Sequence, residues 1–305
     1  MASLTNPLLR EWPTWAMLLV CYALWIASLA SYAVIGAWFL VPAMVSLALH
    51  SSLQHEVLHG HPTRSAWLNE ALIYPALGVL IAYRRYKDTH LRHHNDTLLT
   101  DPYDDPESYY LAESDYASLP GWKRVLLQFN QTLIGRWLVG PPLSMCGFWG
   151  DEINRIRGGN ERSRNAWLHH VLGLVPVLVL VVAFGIPLWL YGLAAWGGMS
   201  LIMTRSFIEH RAAESVGERT AVVEAGWFMS LLYLNNNLHA VHHRAPTLAW
   251  YALPARWRAE RDTVLANNGG YLIAGGYASV LMRWALRRRE PVIHPVLRKS
   301  HSDTA

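Results

Sequence analysis

The chain has 305 residues, of which 52% are hydrophobic and only 16% charged, with 15 Trp and a formal net charge of +4. That is a membrane profile, and nucleic acid is excluded as a partner because the basic residues flank apolar stretches and form no separate basic domain. Two cysteines, Cys21 and Cys146, are too few for a disulfide framework or a cysteine-based metal site and read as small packed residues.

From Trp12 to His55 no Asp, Glu, Lys or Arg occurs over about 44 residues, enough for two spans of about 20 residues each. Thr14 to Ala30 and Ala37 to Ser52 are the predicted spans, joined near Ser31, Tyr32 and Gly36. The stretch lacks a basic lead and a small-residue cleavage site, so it reads as a retained span and not a signal peptide. Next, Ser65 to Tyr83 is apolar but interrupted by Glu70 and Pro75, which suggests an interfacial or partly inserted segment. The run DPYDDPE (101–107) reads as a Pro-rich solvated turn, and Trp122 to Gly150 as an amphipathic stretch lying on the membrane. A second uncharged run, Asn165 to Thr204, holds two more spans, Trp167 to Ala183 and Leu188 to Phe207, with Gly185-Ile186-Pro187 as the turn.

The expected fold class is therefore an all-α polytopic membrane protein of one domain, with four transmembrane helices in two hairpins, 12–55 and 165–207. Residues 56–164 are cytoplasmic or interfacial, and 208–305 form a cytoplasmic helical cap. Arg84, Arg85, Lys87, Arg155, Arg157, Arg162, Arg164, Arg205 and Arg211 flank the spans, so the positive-inside rule puts both termini in the cytoplasm of an inner-membrane protein. The Arg287-Arg288-Arg289 cluster near the end of the cap reads as a solvated or lipid-facing charge run.

Histidines carry the chemistry. HEVLHGH (55–61) sets His55 and His59 four residues apart on one helical face, with His61 beyond Gly60 as a supporting or surface residue. THLRHHND (89–96) and NNNLHAVHH (235–243) both contain HxxHH, giving His90, His93 and His94, then His239, His242 and His243. Offsets of three and four fall within an arc of about 100°, so each box points its rings to one side. His210 lies just past the fourth span, as His55 lies at the end of the second. Nine imidazoles at one level exceed the four ligands of a single zinc ion and imply two metals. Imidazole suits Zn, Cu, Fe and Ni alike, so ligand type does not name the ion. Glu56, Asp96, Asp101, Asp104, Asp105 and Glu209 are candidates to orient the rings through their second nitrogens. Asn235, Asn236 and Asn237 are divided between capping and ring contacts, with a structural role expected for at least two.

The order HxxxH, HxxHH, HxxHH around two hydrophobic hairpins resembles the integral-membrane fatty acid desaturase and hydroxylase superfamily, across about residues 40–245. HGHPTR, TDPYDDPESYY and NNNLHAVHH are most similar to bacterial fatty acid desaturase-like members. The resemblance implies a centre of two Fe ions that activates O2, with His55, His59, His90, His93, His94, His210, His239, His242 and His243 as ligands. It implies a membrane lipid or fatty acyl substrate. Some members carry an Asn one turn before the residue matching His210, where this chain has Ser206. The chain has neither a rubredoxin-like cysteine set nor an HPGG haem-domain signature, so electrons would come from a separate ferredoxin-, rubredoxin- or cytochrome b5-type donor. Desaturation, hydroxylation, carotenoid ketolation and alkene-forming decarboxylation share such a ligand set.

Two other classes compete. HEVLH also matches HExxH, the pattern of zinc proteases, but no Asp on the second hairpin offers a further ligand and most histidines are left unexplained. A metal transporter would place its ligands near the bilayer midplane, and these lie at helix ends.

Overall fold

The structure, a computed structural model, describes residues 11–95 and 99–296, which are mostly helical. Two stretches are long and apolar enough to cross a membrane, Trp12–Leu58 and Glu161–Ala183. The first comprises α1 (Trp12–Ile35) and α2 (Leu40–Leu58), parted by a 3-10 turn at Gly36–Phe39. Gly36 opens that turn at φ +54°, a conformation that glycine adopts without a Cβ clash. Cys21 is buried, its thiol donating to the Ser46 carbonyl, whereas Cys146 is exposed and does not pack as expected.

After α2 come the short α3 (Ala66–Leu72) and α4 (Tyr83–Asn95), and between them residues 73–82 run irregularly through the interior. Ile73, Ala76, Leu77 and Ala82 are buried there. Irregular backbone away from water must find partners inside the protein, and both apolar units supply them. Tyr22 Oη donates to Leu72 O, Tyr191 Oη to Leu77 O, and the His170 ring to Val79 O, while Ala76 N donates to Gly173 O. The segment interrupted by Glu70 and Pro75 is thus a buried crosspiece. A Cβ on Gly173 would lie 2.4 Å from the Tyr74 carbonyl oxygen, so Gly173→Ala should destabilise the protein by about 1–3 kcal/mol through overpacking. Gly192→Ala, with no atom within 4 Å of the new methyl, is the control. Thermal unfolding in detergent checks the pair, and equal melting temperatures would refute the crosspiece contact.

The chain continues through α5 (Glu113–Ser118), α6 (Gly121–Asn130) and α7 (Leu133–Arg157). The expected amphipathic stretch at 122–150 is divided between α6 and α7. Of its charges Lys123 is exposed as expected, but Arg136 is buried inside α7; Glu152, just beyond the stretch, is buried near the end of the helix. Glu152 pairs with Arg85 of α4, Oε2 to Nε, at 2.8 Å.

Helices α8 (Glu161–Ala183) and α9 (Leu188–Glu209) follow, joined by the expected turn at Gly185-Ile186-Pro187. α9 packs mainly on α2 and α7 and little on α8. Gly198 lets it approach α2: a Cβ there would meet Leu47 Cβ at 2.8 Å, with Ala43, Ala48, Ala194 and Ala195 also buried nearby in sequence. Trp196 Nε1 and Ser200 Oγ donate to Trp137 O of α7, and Trp137 Nε1 donates to Thr204 Oγ1.

The remaining elements are β1 (Val222–Val223), α10 (Trp227–Leu232), α11 (His239–Arg244), α12 (Leu253–Asn267), β2 (Leu272–Ile273) and α13 (Gly276–Trp284). β1 and β2 are parallel, pairing Val222 with Leu272 and Val223 with Ile273. Past α13, Arg289 turns inward and donates to the carbonyls of Phe207 and His210 at the end of α9. It does not join a solvated charge run, because those helix-terminal carbonyls need donors.

Candidate metal centre

Four chain segments deliver the nine predicted histidines. α2 carries His55 in its last turn with His59 as its cap, α4 carries His90, His93 and His94, His210 caps α9, and α11 carries His239, His242 and His243. The turn after α9 fixes α11 against it: Ala221 N donates to Glu209 O, Ala240 N to Ala221 O, and Val223 N to Asn237 O, all at 2.8–2.9 Å. A short antiparallel bridge between His210 and Thr220 completes this brace.

The nine converge into two groups, His55, His59, His90, His94 and His242, and His93, His210, His239 and His243. Within each, one ring nitrogen per residue lies within 4.8 Å of all the others. Each HxxHH box is therefore divided, where the sequence had suggested one common direction. Residues i and i+4 differ by about 40° around a helix and i+3 lies about 100° from i+4. His90 and His94 thus face one group and His93 the other, while α11 gives His239 and His243 to the second and His242 to the first. The two boxes exchange one histidine each.

The second ring nitrogens of His90, His93 and His239 are held, whereas His94 Nδ1 and His210 Nδ1 have no hydrogen-bond partner among the described residues. His93 Nδ1 donates to Asp105 Oδ1 and His90 Nδ1 to Glu107 Oε1, both at 2.8 Å, and His239 Nδ1 faces Asn236 Oδ1 at 3.0 Å and Glu209 Oε1 at 3.2 Å. Asn236 Nδ2 also lies 3.3 Å from His55 Nε2. Burial and neighbouring imidazoles push His94 down to about 2 and His210, beside His93, down to about 3. These rings are neutral, as metal ligands must be. Burial opposes charge on His93 too, but Glu107 and Asp105 outweigh it and raise it to about 9. Glu107 is correspondingly held below the usual carboxylate range: burial would raise it, and His90 and His93 prevail.

Of the predicted orienting groups, Asp105 and Glu209 touch rings. The acidic run is no solvated turn, since Asp101 and Asp105 are buried. Asp105 also accepts from Thr100 N and Glu107 N, while Asp101 accepts from Tyr103 N and Asp104 N and shapes the turn. Asp104 contributes its carbonyl to Arg92, and Asp96 lies outside the described residues. Glu107 was overlooked, although it stands in the same run. Asn235 and Asn237 donate to backbone carbonyls, leaving Asn236 for the rings. Ser206 meets Tyr109 Oη at 3.4 Å and the Met203 carbonyl at 3.5 Å.

Glu56 turns away from both groups: it accepts from Trp250 N at 3.1 Å and lies 3.9 Å from His61, which itself bonds Glu11. HEVLH therefore does not build the glutamate-and-two-histidine arrangement of a zinc protease. Asp105→Asn should weaken metal binding about 10–100-fold, as loss of a ring-orienting partner does, whereas Glu56→Gln should leave it unchanged. Chelator competition measures both, and equal affinities would remove the orienting role.

Facing Nε2 atoms stand close: His94 is 3.1 Å from His90 and 3.0 Å from His242, and His210 is 3.2 Å from His93 and 3.1 Å from His239. One proton per nitrogen cannot bridge every such contact. Nitrogens about 2.1 Å from a shared ion stand about 3.0–3.4 Å apart along the edges of an octahedron or tetrahedron. His59 Nε2, buried without a hydrogen-bond partner among the described residues, adds a further open lone pair. The residues present thus fit a metal ion in each group. Residues 29–274 match the family model described as fatty acid desaturase. No curated relative matches the chain. With most of its length matched, this chain belongs to the fatty acid desaturase family, and its activity is that of a desaturase- or hydroxylase-type oxidoreductase.

Proposed function

We propose that the chain is a di-iron membrane enzyme that introduces a double bond into a fatty acyl chain. The observation that carries this reading is the pair of interlocked histidine groups, five and four strong, which gathers beside His55 and His59 at the end of the membrane-length apolar stretch Trp12–Leu58. In overall balance, –CH2–CH2– plus O2, two electrons and two protons gives –CH=CH– plus two waters. Two irons, held by the nine histidines, would supply an oxidant strong enough for an unactivated methylene, which redox-inert zinc does not.

The chain's own residues do the rest. Asp105, Glu107, Glu209 and Asn236 hold the rings in register, and Tyr86 lies against His90 at 5.5 Å between ring centroids. Six of the nine rings are buried, while His94, His210 and His243 are partly open, so the first group is the better shielded from water. α1, α2, α8 and α9 make four crossings in this reading, with both chain ends, the histidines and the electron donor on the cytoplasmic side of the cell membrane. α9 packs on α2 and α7 along one side and leaves Leu188, Trp189, Leu193 and Trp196 exposed on another, which suits contact with lipid.

Hydroxylation is the second reading. Arg205 and Glu209 pair at 2.7 Å beside His239, and the buried Tyr277 hydroxyl has no hydrogen-bond partner among the described residues. Polar groups at that place suit an oxygenated product. Supplying isotopically labelled acyl substrate, O2 and a reducing system decides: loss of two hydrogens supports desaturation and gain of one oxygen supports hydroxylation. Loss of the carboxyl carbon means decarboxylation, and oxidation of a carotenoid alone would overturn the acyl assignment.

A further inference from the structure

Buried guanidinium groups need partners, because an unpaired charge away from water costs several kcal/mol. Most buried or inward-turned arginines here have carboxylates: Arg85 with Glu152, Arg205 with Glu209, and Arg289 with Glu290. Arg219 lacks one, but its three nitrogens donate to the carbonyls of Ala213, Leu99 and Glu214. Arg136 is different. It is 2% exposed, its Nε donates to Asn130 O at 3.2 Å, and its Nη1 has no hydrogen-bond partner among the described residues. No carboxylate pairs with it there. The neighbouring Asn130 Oδ1 is also buried and unpartnered.

What surrounds Arg136 leads to the surface on one side and to the metal centre on the other. Its guanidinium lies 3.9 Å over the ring of Tyr109, and Tyr109 is 37% exposed. The Tyr109 hydroxyl meets Ser206 Oγ at 3.4 Å. Ser206 sits on α9 four residues before His210, a rise of about 6 Å along the helix. Rotating the Asn130 amide by 180° would turn its NH2 toward the place where Oδ1 stands. Arg136, Asn130, Tyr109 and Ser206 thus form a run of neighbouring polar groups with no acid among them.

We propose that Arg136, with Asn130, Tyr109 and Ser206, binds the anionic head group of the alkyl substrate, a carboxylate or a phosphate monoester. The inference deepens the oxidoreductase reading, on which it rests for the alkyl tail. The anion supplies the missing countercharge, Tyr109 marks the entrance, and α9 relates the head group to His210. Ser206 then serves the substrate and not the metal.

Binding tests this without turnover, so its failure would leave the reaction assignment intact, and a dead reaction would leave the binding result intact. Full-length protein in neutral detergent is titrated with hexadecanoate, hexadecyl phosphate and hexadecanol, with affinity read by native mass spectrometry. At least one anion should bind about 10–100-fold more tightly than the alcohol, the worth of one charge-assisted hydrogen bond. Whichever anion is preferred identifies the fatty acid or the phospholipid-like source. Arg136→Gln should abolish the discrimination and Arg136→Lys should keep most of it. Tyr109→Phe, at a half-exposed position where folding is secure, should reduce it about fivefold. Equal binding of anion and alcohol by the unaltered protein overturns the proposal, as does discrimination that survives Arg136→Gln. Should Arg136→Gln fail to fold, unchanged discrimination in both Tyr109→Phe and Ser206→Ala overturns it equally.

Discussion

His93→Ala and His242→Ala should each reduce turnover at least about a thousandfold while differing in what metal they retain. A paired centre acts as a unit, and removing one member of such a unit costs nearly as much as removing all. His93 belongs to the group of four and His242 to the group of five. Losing His93 leaves three imidazoles, the smallest set that holds a catalytic metal, so that group should bind its ion most weakly and lose it first, lowering the metal count toward one per chain. Losing His242 leaves four, enough for tetrahedral binding, so the metal count should stay closer to two although turnover is lost. Metal analysis of the purified variants separates the cases. Full activity with a single zinc, or identical metal loss in both variants, would sink the two-group reading.

Arg85→Ala should be the most destabilising change away from the histidines. Arg85 is buried between Glu152 at 2.8 Å and Asp88 at 2.6 Å, and Trp167 Nε1 also donates to Glu152 at 3.2 Å. Deleting the guanidinium leaves the Glu152 carboxylate buried with only that indole and Arg155, 3.7 Å away on an exposed side chain. Breaking a buried pair on one side costs about 3–5 kcal/mol. The double variant Arg85→Met with Glu152→Met removes both charges and should recover much of the loss. Detergent unfolding curves measure the difference, and a single variant as stable as the double one would show that the pair is dispensable. Because Arg85 sits five residues before His90 on α4, its loss should also lower metal occupancy.

The identity of the site was legible because a helix forces its ligands into offsets of three and four, and those offsets survive in the written order of residues. Eight of the nine histidines could be read that way, while His210 stood out only by its place just past a span, and the turns at Gly36 and Gly185 by their glycines. The division of each box between two groups could not. It depends on how α4 and α11 are rotated about their axes, and three-dimensional packing alone sets that. Acidic and basic residues misled for a related reason. Asp105, Glu107, Arg136, Glu152 and Arg289 look solvated because charge favours water, yet each is drawn inward by a specific group: a histidine, a carbonyl, an aromatic ring or an opposite charge. Nothing short of the partner's position reveals this. The interruption of residues 65–83 by Glu70 and Pro75 was visible, but its role as a crosspiece needed Tyr22, Tyr191 and His170, which lie 50 to 114 residues away from their acceptors.

The exchange of one histidine between the two boxes bears on how the protein is made. The first group lacks His242 and the second lacks both His239 and His243 until the ribosome has passed residue 243. Before residue 239 the second group can assemble no more than two of its four imidazoles, and both long apolar stretches have already been synthesised. A redox-active ion captured early would sit in an open, incompletely ligated place and could damage the nascent chain. The first group has four of its five imidazoles before α11 is made, enough to hold an ion, whereas the second has two of four, so filling of the two positions should be ordered, and the second is completed only when α11 docks.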